Sequence, residues 1–310
     1  MRSLGVLIWH VHGSYLETFV RGKHRYLLPV RDGSPAGRRR GHWPRNVVEI
    51  TPEAAREETI DVVVLQRREE VADVVAYLGG RIPGRDVPTI FLEHNAPQGR
   101  INEMVHPFAD RDDVTIVHVT HFNALFWATG STRTVVVEHG VADPGTLYTG
   151  ELARCAIVIN EAKRRGRVTG TDLLPAIDAV APVDLYGIGT ERDLPQRELY
   201  ADMSRRRVYV HPFRWTSLGL ALLEAMACGM PAVALATTEV PAAVPPDCGV
   251  VSNRLDAIAS GIRRFMSDPA DARAVGARAR SHVLAHYGLP KFLAAWDDVL
   301  HAVTRTPPDS

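Results

Sequence analysis

The sequence predicts an α/β protein of two parallel-sheet domains in series. Three observations lead there. Short apolar runs of strand length recur along the chain; most are apolar throughout instead of alternating; and stretches of helical spacing separate them. Strands apolar on both faces need cover on both faces, which is the condition of a parallel sheet between helices. The runs fall into two sets, so two Rossmann-like domains fit better than one large sheet. A length of 310 residues accommodates both.

In the first set the runs are 4–9, 26–30, 61–65, 88–93, 114–119 and 134–138, with helical spacing at 69–77 and 121–128. The loop 31–45, rich in Gly, Pro and Arg, carries Arg38, Arg39 and Arg40. It reads as a solvated connection or as a flap for an anionic acceptor or lipid headgroup. Gly140, Pro144 and Gly145 interrupt the pattern and mark a hinge, giving an N-terminal domain 1–145 and a second domain 146–290. The second set has runs at 156–160, 183–188, 208–211 and 232–236, with helical spacing at 172–180, 218–226 and 255–265. A last helix at 291–302 is expected to return to the first domain, with a frayed tail at 304–310.

Composition narrows the function classes. Lys+Arg and Asp+Glu both total 36, so no net field recruits nucleic acid. Hydrophobic residues at 45% and charged residues at 23% are a globular balance, not a disordered one. The three cysteines, Cys155, Cys228 and Cys248, are widely spaced and odd in number, which gives no disulfide or metal framework and fits a reducing cytoplasm. No apolar stretch is long enough to span a bilayer, so membrane contact is expected to be peripheral at most. The start of the chain reads as a first strand, not as a signal peptide.

The densest local signal runs over 208–251. A strand ends at His211-Pro212, a loop of Phe213, Arg214 and Trp215 follows, and Thr216-Ser217 stands before a helix opening at Leu218-Gly219. A hydroxyl there is a good N-cap, and the free amides of the first turn favour a phosphate. Glu224 lies further along, among Leu222, Leu223, Ala225 and Met226. A carboxylate in such a stretch needs a partner, either a structural ion pair or a ligand such as the hydroxyls of a ribose.

This stretch resembles the nucleotide-sugar site of the retaining GT-B glycosyltransferases of group 1, the glycogen-synthase and bacterial mannosyltransferase type. Their Glu-Gly-Phe-Gly followed by Leu-Glu-Ala-Met-Ala-x-Gly-x-Pro-Val-Val corresponds to Thr216-Ser217-Leu218-Gly219 and then Leu223 through Val233. The resemblance implies two Rossmann-like domains facing across a cleft. It implies that Glu224 holds the donor ribose and that amides at Ser217, Leu218 and Gly219 hold the diphosphate. The family's first glutamate falls on Thr216, the position that approaches the transferred sugar. Upstream, the family's arginine and lysine fall on Arg164 and Thr169, with Arg165 or Arg167 as substitutes for the missing charge. Gly187 of Gly187-Ile188-Gly189 is where the base would lie against backbone. In the first domain, Gly13 and Ser14 occupy the place of a diphosphate-contacting loop. His94, closing the run at 88–93, resembles a strand-end histidine that contacts the donor sugar.

The expected activity is transfer of a sugar from a UDP- or GDP-sugar to an acceptor hydroxyl, with retention. The acceptor would be a saccharide, a lipid-linked saccharide or a small metabolite. No metal or other cofactor is expected: His10 and His12 lack a neighbouring carboxylate, and fixed cations with helix amides can neutralise a leaving diphosphate. The neutral Thr216 and Thr169 leave open a catalytically silent nucleotide-sugar sensor or assembly subunit on the same fold. A nicotinamide-dependent enzyme is disfavoured, because the first strand does not lead into a GxGxxG turn.

Overall fold

The computed structural model describes residues 2–30 and 43–305, and the chain divides into two compact units. One is Met1–Gly140 with Pro290–Ser310; the other is Val141–Leu289. Most of the 31–45 loop, Arg38, Arg39 and Arg40 included, and the tail from 306 lie outside the described residues.

In the first unit the elements are β1 (Gly5–Ile8), α1 (Gly13–Phe19), β2 (Arg25–Pro29), β3 (Val47–Ile50), β4 (Val62–Leu65), α2 (Glu70–Val74), β5 (Thr89–Glu93), β6 (Val114–His118), α3 (His121–Phe126) and β7 (Thr134–Val136). In the second they are β8 (Leu152–Val158), α4 (Ala162–Arg165), α5 (Leu174–Asp178), β9 (Val183–Tyr186), α6 (Gln196–Met203), β10 (Arg206–His211), α7 (Leu220–Ala227), β11 (Ala232–Ala234), α8 (Val240–Ala243), β12 (Gly249–Val251), α9 (Leu255–Ser267) and α10 (Pro269–Tyr287). The last helix, α11 (Leu289–Arg305), belongs from Pro290 onward to the first unit. Short 3₁₀ turns join several of these.

Both sheets are parallel throughout. The first has the order β3-β2-β1-β4-β5-β6-β7, the second β12-β11-β10-β8-β9. Each chain path starts in mid-sheet, builds outward to one edge, then returns to build toward the other. The switch points are therefore between β1 and β4 and between β8 and β10. In open α/β sheets ligands bind beyond the carboxyl ends of the strands at such points.

The central strands are apolar and wholly buried, as for Val62–Leu65 and for Ala156 and Ile157 of β8. Helix α11 lays Phe292, Trp296, Val299 and Leu300 onto the first unit; the Trp296 Nε1–H donates to the Tyr15 hydroxyl at 2.9 Å and the ring edges onto Phe19. In the second unit α10 runs behind α7. Its buried face includes the small Ala272, Gly276 and Ala279 beside Val275, Val283 and Tyr287, and a Cβ at Gly276 would collide with the Gly229 carbonyl oxygen. Small residues thus set the helix close to the sheet.

Candidate functional site

At the β8–β10 switch point two separate stretches of sequence meet. After β8, Glu161 turns the chain in a left-handed conformation (φ 54°) into the short helix α4. The basic turn 163–171 then packs on the loop that follows β10: the Arg214 and Trp215 amides donate to the Val168 carbonyl at 2.9 and 3.2 Å. Gly170 permits this approach, since it has φ 73° and a Cβ there would strike the Pro212 carbonyl oxygen. The β9 turn is tied in as well. Asn160 Oδ1 accepts from the Ile188 amide at 2.9 Å, and Gly187 (φ 119°) lies where a Cβ would fall 2.6 Å from the Ile159 carbonyl oxygen.

The arginines of the basic turn separate by environment. Arg164 is exposed and pairs with Glu161 at 2.5 Å. Arg167 reaches Asp172 at 2.9 Å, and Asp172 also pairs with Arg214. Arg165 is half-buried, with its guanidinium carbon 5.7 Å from the centre of the Phe213 ring. It is the cation of the turn directed at the β10 loop. Thr169 is wholly buried; its hydroxyl donates to the Gly166 carbonyl and lies 3.3 Å from the Thr171 hydroxyl.

The helix itself differs from the sequence expectation. It starts at Leu220 with Gly219 as N-cap, and no side chain caps it; Thr216 and Ser217 sit further up the loop. The reason is packing. Gly219 crosses the buried His211 ring so closely that a Cβ would lie 2.6 Å from Cε1 and 3.2 Å from Nε2. His211 stacks on Phe213 with ring centres 4.2 Å apart. Burial, with the nearby Arg165 charge, pushes its pKa down to about 3, so the imidazole is neutral at pH 7. The sequence reading treated His211 only as a strand end.

Glu224 points from the buried side of α7, at 9% exposure, and Gln196 at the start of α6 donates its Nε2–H to Glu224 Oε1 at 3.0 Å. Gln196 is a second residue the sequence reading missed, because α6 carried no recognised signal. The site thus offers a carboxylate, a half-buried guanidinium, a neutral imidazole and the free amides of α7. That set suits a ligand with hydroxyls at one end and phosphates at the other.

In the first unit the predicted residues also gather at its switch point. Gln66, beyond β4, donates its Nε2–H to the Trp9 carbonyl at 2.7 Å and presents Oε1 to His94 Nε2 at 2.9 Å. The His94 Nε2 therefore carries the proton. Burial, and the neighbouring His12 and His139, hold its pKa well below the usual histidine value. The rings of His12 and Tyr15 lie 4.1 and 4.7 Å from it, centre to centre. Glu70 braces this corner by accepting from the Gln66 and Arg67 amides at 2.6 and 3.2 Å. Gly13 and Ser14 open α1. His10 edges onto Trp43 while His12 turns to His94, so the two do not form a pair.

Among the described residues one group has the make-up of a metal site, His24, Asp297 and His301, all in the first unit. Its side chains face one another, with Asp297 Oδ1 3.1 Å from His24 Nε2 and 3.2 Å from His301 Nδ1, and their other atoms are tied to the surrounding chain. His24 Nδ1 accepts from the Leu4 amide, Asp297 Oδ2 takes the Lys23 ammonium at 2.8 Å, and His301 bonds the Asp297 and Arg2 carbonyls. It reads as an ionic tie between β2 and α11.

Known proteins resemble the chain over one segment and in fold. Residues 192–282 match the family described as Glycosyl transferases group 1, which includes Gln196, His211, Gly219 and Glu224. No curated protein sequence matches the chain. Among solved structures, sucrose-phosphate synthase from Thermosynechococcus elongatus is 14% identical, with a TM-score of 0.70 over 97% of this chain and 99% of that one. A glycosyltransferase from Rickettsia africae is 11% identical, with a TM-score of 0.69 over 99% and 100%. Anabaena Alr3699/HepE, solved in complex with UDP-glucose, is 13% identical, with a TM-score of 0.68 over 96% and 100%. The architecture is that of the GT-B glycosyltransferases.

Proposed function

We propose that this glycosyltransferase, with its group 1 segment at 192–282, moves a sugar from a UDP- or GDP-sugar to an acceptor hydroxyl with retention and without a resident metal ion. The observation that carries the reading is the junction at the β8–β10 switch point, where the basic turn, the His211–Gly219 loop and the start of α7 come together. The donor is proposed to lie across these groups. Glu224 accepts from the ribose hydroxyls, the α7 amides and Arg165 hold the diphosphate, and the Gly187 turn lies along the base. As the glycosidic bond breaks, negative charge grows on the departing diphosphate. A half-buried guanidinium and fixed amides stabilise it without reorganising, which is the effective form of electrostatic catalysis. A departing phosphate oxygen takes the proton of the acceptor hydroxyl. His94 is proposed to contact the transferred sugar as a neutral Nε2–H donor fixed by Gln66. Anabaena Alr3699/HepE was solved in complex with UDP and with UDP-glucose, which makes these the first ligands to try. The acceptor is proposed to be a saccharide, free or lipid-linked, or a small metabolite.

Glu224→Ala tests the reading. With UDP, GDP and their sugars titrated calorimetrically into the full chain, the variant should lose at least about tenfold in affinity, because hydrogen bonds to a buried carboxylate are among the stronger ones. Wild-type affinity in the variant would sink the assignment. Thr216, neutral where the family has an acid, keeps a second reading alive, a nucleotide-sugar sensor. Sugar transfer or donor hydrolysis by the purified chain excludes it.

A further inference from the structure

We infer that Gln196 is a positioning residue that sets the Glu224 carboxylate for a ribonucleoside, so that the site selects ribo- over 2′-deoxyribonucleotide donors through a Gln196–Glu224 pair. The inference rests on the donor reading above and deepens it.

Helix α7 places Glu224 on its buried face, between Leu223 and Ala225, both fully buried. Its backbone gives the side chain direction but not the orientation of the carboxylate plane, whose terminal torsion is soft. Two vicinal hydroxyls are gripped by one carboxylate only when that plane faces them. Gln196 supplies a constraint on that plane. It is the first residue of α6, preceded by Pro195, whose ring fixes its own backbone φ. From there Nε2–H reaches Oε1 at 3.0 Å, from a partner 28 positions away in sequence. The amide donates without adding charge, so Glu224 remains an acceptor for both hydroxyls. A lysine or arginine in its place would compete with the ligand as a counter-ion. Removing one hydroxyl from the nucleotide leaves part of a buried carboxylate unmatched, and such a loss discriminates far more strongly than a missing methylene in an apolar pocket. The carboxylate achieves this only while it is held.

The experiment is a double-mutant cycle on the full chain with Gln196→Met, which keeps length and bulk but loses the donor, and Glu224→Ala. Affinities for UDP and 2′-deoxy-UDP, or for GDP and 2′-deoxy-GDP, are measured by calorimetry, and folding is checked by thermal melting. The wild type is expected to favour the ribonucleotide about tenfold or more. Q196M should lose about tenfold for the ribonucleotide and little for the deoxy form, collapsing the preference. The double variant should bind no worse than E224A alone, because both changes remove one device. A Q196M chain that keeps the wild-type ribo-to-deoxy ratio overturns the inference and leaves the donor reading standing. So does a double variant whose losses add. A wild-type chain that binds neither UDP nor GDP overturns the donor reading and this inference with it.

Discussion

At the scale of single residues, the second unit shows how neighbours in sequence take different work. Arg164 and Arg165 are adjacent, yet one faces water against Glu161 and the other lies over Phe213 beside His211. An exposed ion pair contributes little, whereas a guanidinium removed from water acts in a lower effective dielectric. Arg165→Ala is therefore expected to lower turnover at saturating donor by about a hundredfold, the size of effect seen when one donor to a developing anion is lost. Arg164→Ala should stay within about twofold. Steady-state kinetics on the two variants checks the assignment, and the reverse ranking would refute it. Residue types alone could not separate the two arginines. The family pattern pointed to Arg164, and only the turn of the chain after Glu161 directs its neighbour inward. Glu224 was legible because its helix carries the long match; Gln196 was not, because a partner 28 positions away follows no local rule.

At the scale of elements, a buried ionic network fastens the strands that carry the site. Asp184 on β9, at 3% exposure, accepts from Arg154 on β8 at 2.8 Å and from Arg206 on β10 at 2.7 Å, and Arg192 joins them at 3.0 Å. The three guanidinium partners outweigh burial and hold the Asp184 carboxyl at about 2. Asp184→Ala leaves the buried Arg206 with Asp202, at 2.8 Å, as its remaining acidic partner and should cost about 1–3 kcal/mol, the penalty of leaving part of a buried polar group unmatched. Denaturant unfolding measures it, with Asp184→Asn expected to fall between; an unchanged midpoint would show the network to be idle. The strands of this sheet were visible as apolar runs, although β8 begins at Leu152, upstream of the run at 156–160. Edge strands β3 and β12 escaped notice, both being only partly buried. Helix α10 escaped for another reason. Its buried face mixes the small Ala272, Gly276 and Ala279 with Val275, Val283 and Tyr287, so large apolar residues are too sparse along its nineteen residues to announce a helix. Its start could have been found, since Asp268 caps the Ala270 and Asp271 amides ahead of a proline at the first position.

At the scale of the whole molecule, buried imidazoles tie stability to pH. Burial pushes His118 down to about 4 and His211 to about 3, against about 6.5 in the unfolded chain. Between those values the unfolded state binds more protons, so stability is present above about pH 6.5 and is lost as the pH falls. Glu70 acts with the opposite sign. Burial raises it to about 7, and its contribution is lost as pH rises from about 4.5 through 7. Among the described residues six histidines with lowered values, His10, His24, His94, His118, His211 and His282, oppose two raised carboxyls, Glu17 and Glu70, so melting temperature should drop between pH 7 and pH 5, and His118→Phe should reduce the slope. A flat profile would contradict the burial of these rings. By itself the sequence determined the α/β class, the recurrence of two parallel-sheet sets and the group 1 segment around Glu224, because these depend on apolar periodicity and on a contiguous motif. The tertiary structure alone decided which arginine serves the loop after β10, why the α7 cap is Gly219, and that His211, Gln66 and Gln196 support the candidate residues. Strands far apart in the chain become neighbours only when a sheet assembles, and burial, tautomer and partner are properties of that neighbourhood, not of residue type.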